Sequence, residues 1–155
     1  MTKISVKPQN GLSETIKQMK YLELVSKNNA AFLSFVNKTF KTPCLSCIPG
    51  KVYSYIKNNF TYKDDAPFDE IIRAPHVLLT EKIGDCDDFA VFTKTVLDII
   101  GGFDSYYMLL GAEQNKFTHV VVWCNRKGVH DPVLIDGAND LFNVLPSKYK
   151  FYKIV

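Results

Sequence analysis

The chain has 155 residues, of which 46% are hydrophobic and 23% charged. That balance fits one globular domain around one core and excludes a disordered or low-complexity chain. A formal net charge of +3 with scattered lysines excludes a nucleic-acid binder, and the light cluster at Lys148, Lys150 and Lys153 reads as a solvated C-terminal end.

The first seven residues lack the apolar run of a cleaved signal, and no stretch approaches the ~20 apolar residues of a membrane helix. The expectation is a cytoplasmic protein, or one of the virion or host cytoplasm if the source is viral, with no membrane insertion. Ile16, Met19, Leu22 and Val25 at helical spacing predict a helix over 12–28, with Ser13 as its cap. Phe32, Leu33, Phe35, Val36 and Phe40 predict a second over 30–40. These aromatics read as core, with a partner-facing surface on the N-terminal helices as the alternative.

Residues 43–50 break the pattern and contain a C-x-x-C pair, Cys44 and Cys47. No second pair exists to complete a zinc site, and Pro43 and Ile48-Pro49-Gly50 do not give the strand and helix of a thioredoxin-like site. The pair therefore reads as two ordinary thiols, with a redox or metal protein as the competing assignment. A third helix follows over 51–59. Residues 60–83 read as irregular, because Pro67 and Pro75 forbid a long helix.

Gly84-Asp-Cys-Asp-Asp-Phe-Ala then opens the best-defined helix. Asp85 is its cap, Asp87 and Asp88 suit its positive end, and Gly101-Gly102 stops it. Phe89, Phe92, Val96 and Ile99 form one apolar stripe, and Ala90, Val91 and Leu97 extend it. This predicts a central, mostly buried helix. The three aspartates read as capping rather than as a metal cluster. Strands follow at 105–110, 118–124, 133–136 and 150–155. Helices first and an antiparallel meander after them predict an α+β fold with the helices on one side.

A thiol attacks as its thiolate, and a helix N-terminus or a cationic neighbour lowers its pKa. Cys86 stands in the first turn of the central helix, where backbone N–H groups also suit an oxyanion. Asp85, Asp87 and Asp88 oppose the thiolate, so a histidine partner matters more. His119 opens the most strand-like segment, and Asp136 ends the next strand. Pairing through the turn at 125–128 would set His119 across from Leu134 and bring Asp136 within a residue or two, where a carboxylate can orient an imidazole. Asp131 is the rival third residue, and His76 and His130 are assigned to loops. Asp136-Gly137 also reads as a turn.

These pieces together resemble the transglutaminase-like superfamily of papain-like cysteine enzymes, in its small stand-alone bacterial or phage form. The resemblance is carried by Tyr53-Ser-Tyr-Ile-Lys-Asn-Asn-Phe-Thr-Tyr-Lys-Asp-Asp, Gly84-Asp-Cys-Asp-Asp-Phe-Ala, Thr118-His-Val-Val-Val and Leu134-Ile-Asp-Gly. It implies one domain over 1–155, with a helical N-terminal extension over about 1–50 and a catalytic-type core over 51–155. It further implies Cys86 as nucleophile, His119 as base and Asp136 as orienting residue, with no cofactor and no metal. The expected activity is hydrolysis of a peptide or amide bond in a peptide or protein substrate. The alternatives are a non-catalytic structural or interaction module of a virion or protein complex, and a protein-crosslinking acyltransferase.

Overall fold

The computed structural model describes residues 2–7 and 11–155. Strand β1 (Lys3–Val6) is followed by helices α1 (Gly11–Lys27) and α2 (Ala30–Phe40), a 3-10 turn (Leu45–Cys47) and α3 (Ile48–Asn59). Then come β2 (Thr61–Tyr62), β3 (Glu70–Arg73), α4 (Pro75–Glu81), β4 (Ile83–Gly84) and α5 (Cys86–Ile100). The chain ends in β5 (Phe103–Gly111), β6 (His119–Arg126), β7 (Val133–Ile135) and β8 (Phe151–Ile154). The α+β class with helices segregated from an antiparallel sheet is as the sequence predicts.

The sheet has the order β7-β6-β5-β8. Its alternation sorts side chains onto two faces. Tyr107, Leu109, Val120, Val122, Cys124 and Ile135 join the main core around α5. Met108, Leu110 and Val121 form a smaller cluster on the other face, under Trp123, Leu134 and Tyr149. Helix α5 is the axis of the main core: Phe89, Val91, Phe92, Val96 and Leu97 are all buried. Each such side chain contributes about 1.5–3 kcal/mol of apolar burial. The N-terminal aromatics are core rather than partner-facing. Phe32, Phe40, Tyr55 and Phe60 all pack edge-on or stacked against Phe92. Helices α1 and α2 thus belong to the same core as α5.

Residues 60–83 are not irregular. β3 pairs antiparallel with β1, and β2 pairs parallel with β4. Pro75 starts α4 instead of breaking a helix, because a first-turn position needs no N–H donor. His76 therefore lies on a helix, with Nδ1 3.5 Å from Ser26 Oγ, and the loop assignment is corrected. Cys44 and Cys47 are not free thiols but a disulfide. The 3-10 turn closes from Cys47 N–H to Cys44 C=O and turns the two side chains to the same side.

The return from β7 passes close under the helices. A Cβ on Gly137 would lie 2.9 Å from Phe89 Cδ2 and 3.0 Å from Ile56 Cγ2, so the residue after Asp136 has no room for a side chain. Gly137→Ala is expected to destabilise the fold by about 1–3 kcal/mol. Urea unfolding followed by circular dichroism measures this, and an unchanged midpoint would contradict the close approach.

Candidate active site

The site is assembled at the N-terminus of α5. Gly84 and Asp85 bring the chain into the helix, and Asp88 reaches back to accept the Asp85 N–H at 3.2 Å in a capping box. A Cβ on Gly84 would stand 2.7 Å from Asp88 Oδ2, so glycine is required there. Asp88 is fully buried. Its Oδ1 accepts the Arg73 N–H at 2.6 Å, and its Oδ2 pairs with Arg73 Nη1 at 2.7 Å. The Arg73 Nε donates to Glu81 at 3.0 Å. Asp88 is therefore the bolt between α5 and β3, and both its oxygens are taken.

Cys86 is the first residue of α5 and is partly buried. Burial pushes its thiol pKa up, and the charges of Asp87 and Asp85 push the same way. The backbone N–H of Val120 favours the thiolate and pulls in the opposite direction. Cys86 shares a cavity wall with the first two residues of β6, His119 and Val120.

His119 is set by the ladder, across from Leu110 of β5. Its Nε2 lies 2.8 Å from Asp136 Oδ2, with both side chains nearly out of water. The other carboxylate oxygen, Oδ1, accepts the Ala138 N–H at 3.0 Å. Asp136 thus orients an imidazole and caps a turn together, as the two readings of Asp136-Gly137 allowed. With Nε2 committed to the carboxylate, the neutral ring carries its proton there and keeps Nδ1 as the free base. The expected register is corrected: Leu134 pairs with Trp123, four residues beyond His119. Asp136 reaches the ring from just past the end of β7. Asp131 is held elsewhere, by Arg126 Nε at 2.7 Å, and His130 is exposed.

Two cavities meet at His119. One, of about 370 Å³, is lined by Cys86, Asp87, His119, Glu70, Ile16 and Phe117 among others. The second, of about 310 Å³, lies beyond the ring between Tyr62, Asp136, Asn139, Lys148 and Tyr149.

Asp85, Asp87 and Asp88 hold carboxylate oxygens within 4.8 Å of one another. Asp85 and Asp88 do cap the helix, but Asp87 does not. Asp87 is buried, and its Oδ1, like that of Asp85, has no hydrogen-bond partner. Burial and the neighbouring carboxylates push the Asp87 pKa well up, and burial raises that of Glu70 beside it. Sequence reasoning missed Arg73, Glu70 and Tyr149, whose ring stacks on His119 at 5.3 Å and 10°. All three come from segments with no periodic pattern, and nothing in their spacing from Cys86 or His119 signals contact.

A family model described as a transglutaminase-like domain matches residues 32–131. The matched span includes Cys86 and His119 and ends before Asp136. No curated protein matches the sequence. Among solved structures, calcium-bound LapG of Legionella pneumophila is similar at 17% identity and TM-score 0.58, covering 85% of this chain and 80% of that one. The EGTA-treated form of LapG gives 17% identity and TM-score 0.56, over 80% and 73%. A candidate protease from Parabacteroides distasonis gives 10% identity and TM-score 0.55, covering 81% of this chain but 30% of that one. At these identities the likeness is one of fold.

Removing one partner of a buried ion pair strands the other. Arg73→Met is expected to cost about 3–5 kcal/mol at neutral pH. Burial already raises the Asp88 carboxyl to about 7 against an ordinary 3.8. A group raised in this way stabilises the fold below its unfolded pKa, and that contribution is lost as the pH rises through the folded one. Without Arg73 the folded value climbs further, so the deficit should shrink toward pH 4 and grow toward pH 8. Denaturation curves at the two pH values test this; a pH-independent deficit would contradict it.

Proposed function

The chain belongs to the family of transglutaminase-like domains, and from that premise we propose that it is a cysteine-dependent hydrolase of peptide or amide bonds. Cys86 is the nucleophile, His119 the base and Asp136 the residue that orients the base. The observation that carries this reading is the 2.8 Å contact of Asp136 with Nε2 of His119. It leaves Nδ1 as the free nitrogen of a ring that lines the same cavity as Cys86. The two cavities flanking His119 are each large enough for a side chain of an extended peptide.

In the first half-reaction the Cys86 sulfur attacks the carbonyl carbon while its proton passes to Nδ1 of His119. The carbonyl oxygen takes the charge, and the Cys86 backbone N–H at the positive end of α5 stabilises it. Collapse breaks the C–N bond, and His119 returns the proton to the departing amine. In the second half-reaction His119 takes a proton from water, hydroxide adds to the thioester, and the C–S bond breaks to regenerate the thiol and a carboxylic acid. The raised thiol pKa means that Cys86 rests as the thiol, so its proton has to pass to His119 as the attack proceeds.

Iodoacetamide labelling located by mass spectrometry tests the assignment. Cys86 should react faster than Cys124, which is buried and whose thiol is raised to about 12. His119→Ala should slow Cys86 labelling roughly tenfold or more, and Asp136→Asn should lower peptide hydrolysis about a hundredfold or more. A Cys86 that is inert, or that labels equally fast with and without His119, would sink the proposal.

The calcium in the name of the LapG structure bears on the acidic cluster. The unpartnered Oδ1 atoms of Asp85 and Asp87 are the hard oxygen donors that such an ion takes. We infer that Asp85 and Asp87, with Glu70 adjoining, suit a calcium ion, whose positive charge would offset the field that raises the Cys86 thiol. Millimolar calcium should raise the melting temperature and lower the pH midpoint of Cys86 labelling, a chelator should reverse both, and Asp87→Asn should remove both effects. Identical melting and labelling with calcium and with chelator would reject this.

A further inference from the structure

Tyr149 is the one aromatic ring laid face-on against His119 among the described residues, at 5.3 Å between centroids and 10° between planes. It lies 30 residues further along the chain, on the segment that leaves β7 and returns to form β8. Its own position is fixed from both sides. The Tyr149 N–H bonds the Pro146 carbonyl, and the Lys150 N–H bonds Gly111 at the end of β5. The ring also packs on the cluster of Met108, Leu110 and Val121. Its hydroxyl makes no hydrogen bond among the described residues, so the contact is made by the face of the ring.

His119 needs such a contact. It stands at the first position of β6 and, among the described residues, has a single side-chain hydrogen bond, to Asp136. Rotation of the ring off that bond would break the Asp136 contact and turn Nδ1 out of its present direction. We propose that Tyr149 is a positioning residue: it clamps the His119 imidazole so that Nε2 stays on Asp136 and Nδ1 stays available to Cys86, and its π face favours the imidazolium over the neutral ring. The proposal rests on the reading of Cys86 and His119 as nucleophile and base. Offset stacking of two rings and attraction of a cation to an aromatic face act in the same direction here.

Other charged and titratable groups face His119 as well. Asp136 lies past the end of β7, Cys86 and Asp87 on α5, Glu70 on β3, Tyr62 on β2, and Lys148 beside Tyr149 with its ammonium 5.0 Å from that ring. Asp136 and Lys148 act on the ring alike in every variant. The contribution of Tyr149 is therefore read as a change on a background that the same groups set in every variant.

The experiment is the rate of Cys86 alkylation by iodoacetamide between pH 5 and 9, with Cys124 as an internal control. It compares the unaltered chain with Tyr149→Phe, Tyr149→Leu and Tyr149→Trp. Tyr149→Phe keeps the ring face and should stay within about twofold at every pH. Tyr149→Leu keeps apolar bulk without the face, and should slow labelling at pH 7 roughly three- to tenfold and move the profile to higher pH. If the leucine variant also loses stability, Tyr149→Trp decides: restored rate and midpoint support the clamp, and a profile like that of leucine overturns it. Coincident profiles for leucine and the unaltered chain overturn it, as does a phenylalanine variant that behaves like leucine. A Cys86 whose labelling ignores His119→Ala overturns the proposed function first and this inference with it.

Discussion

The arrangement of the site depends on the buried pair of Asp88 and Arg73. A helix N-terminus offers four unpaired N–H groups and has no direction of its own in a core. Here Asp88 ties the first turn of α5 to the backbone and side chain of Arg73 on β3, and to its own cap at Asp85. Burying two charges costs several kcal/mol of desolvation, and their attraction does little more than return it. What the pair supplies is register. It holds the first residue of α5 on the wall of the cavity that His119 and Val120 also line.

That anchoring brings an electrostatic conflict. The partial positive charge at a helix N-terminus favours a thiolate by about 0.3–1 kcal/mol. A single carboxylate about 6 Å away, in an effective dielectric of about 20, opposes it by about 3 kcal/mol. Burial takes water away from the sulfur and the carboxyl groups of Asp87 and Asp85 add to that effect, so the thiol pKa rises instead of falling. A helix start alone therefore does not activate Cys86. A thiolate at this position would need a further positive charge beside it.

The legible part of the sequence was the part whose signals are local. The 3.6-residue pattern and the caps of α5 placed Cys86 on the first turn, a Tyr- and Leu-rich run located β5 and a β-branched run β6, and an ordered Cys, His and Asp pointed to three residues, of which His119 and Asp136 lie in direct contact. What could not be read is held by distant partners. Strands of two to four residues such as β2 and β3 exist only because β4 and β1 pair with them. Pro75 looked like a breaker because its place in a first turn depends on where β3 ends. Asp87 looked like Asp85 and Asp88, since only the fold shows which carboxylates find partners. The sequence pattern carried no sign that Cys44 and Cys47 are joined, because the turn that aligns them is set by the start of α3.

The C-terminal third binds stability to chemistry. The segment after β7 covers the outer face of the sheet, where Met108, Leu110 and Val121 would otherwise meet water. Its entry is Asp136-Gly137, with Gly137 pressed on Phe89 and Ile56, and its exit is Tyr149. Both ends of the cover therefore touch His119, one through a carboxylate and one through a ring. Apolar burial of this size is non-directional and would tolerate the segment in several positions. The Asp136 contact and the β8 ladder to β5 select one of them. The imidazole is thus fixed by elements whose first role is to close the second face of the sheet, and neither end lies in the span that the family model matches. Cys86 and His119 lie within the matched span, while the residues that hold the imidazole lie beyond it, where this chain covers its own sheet.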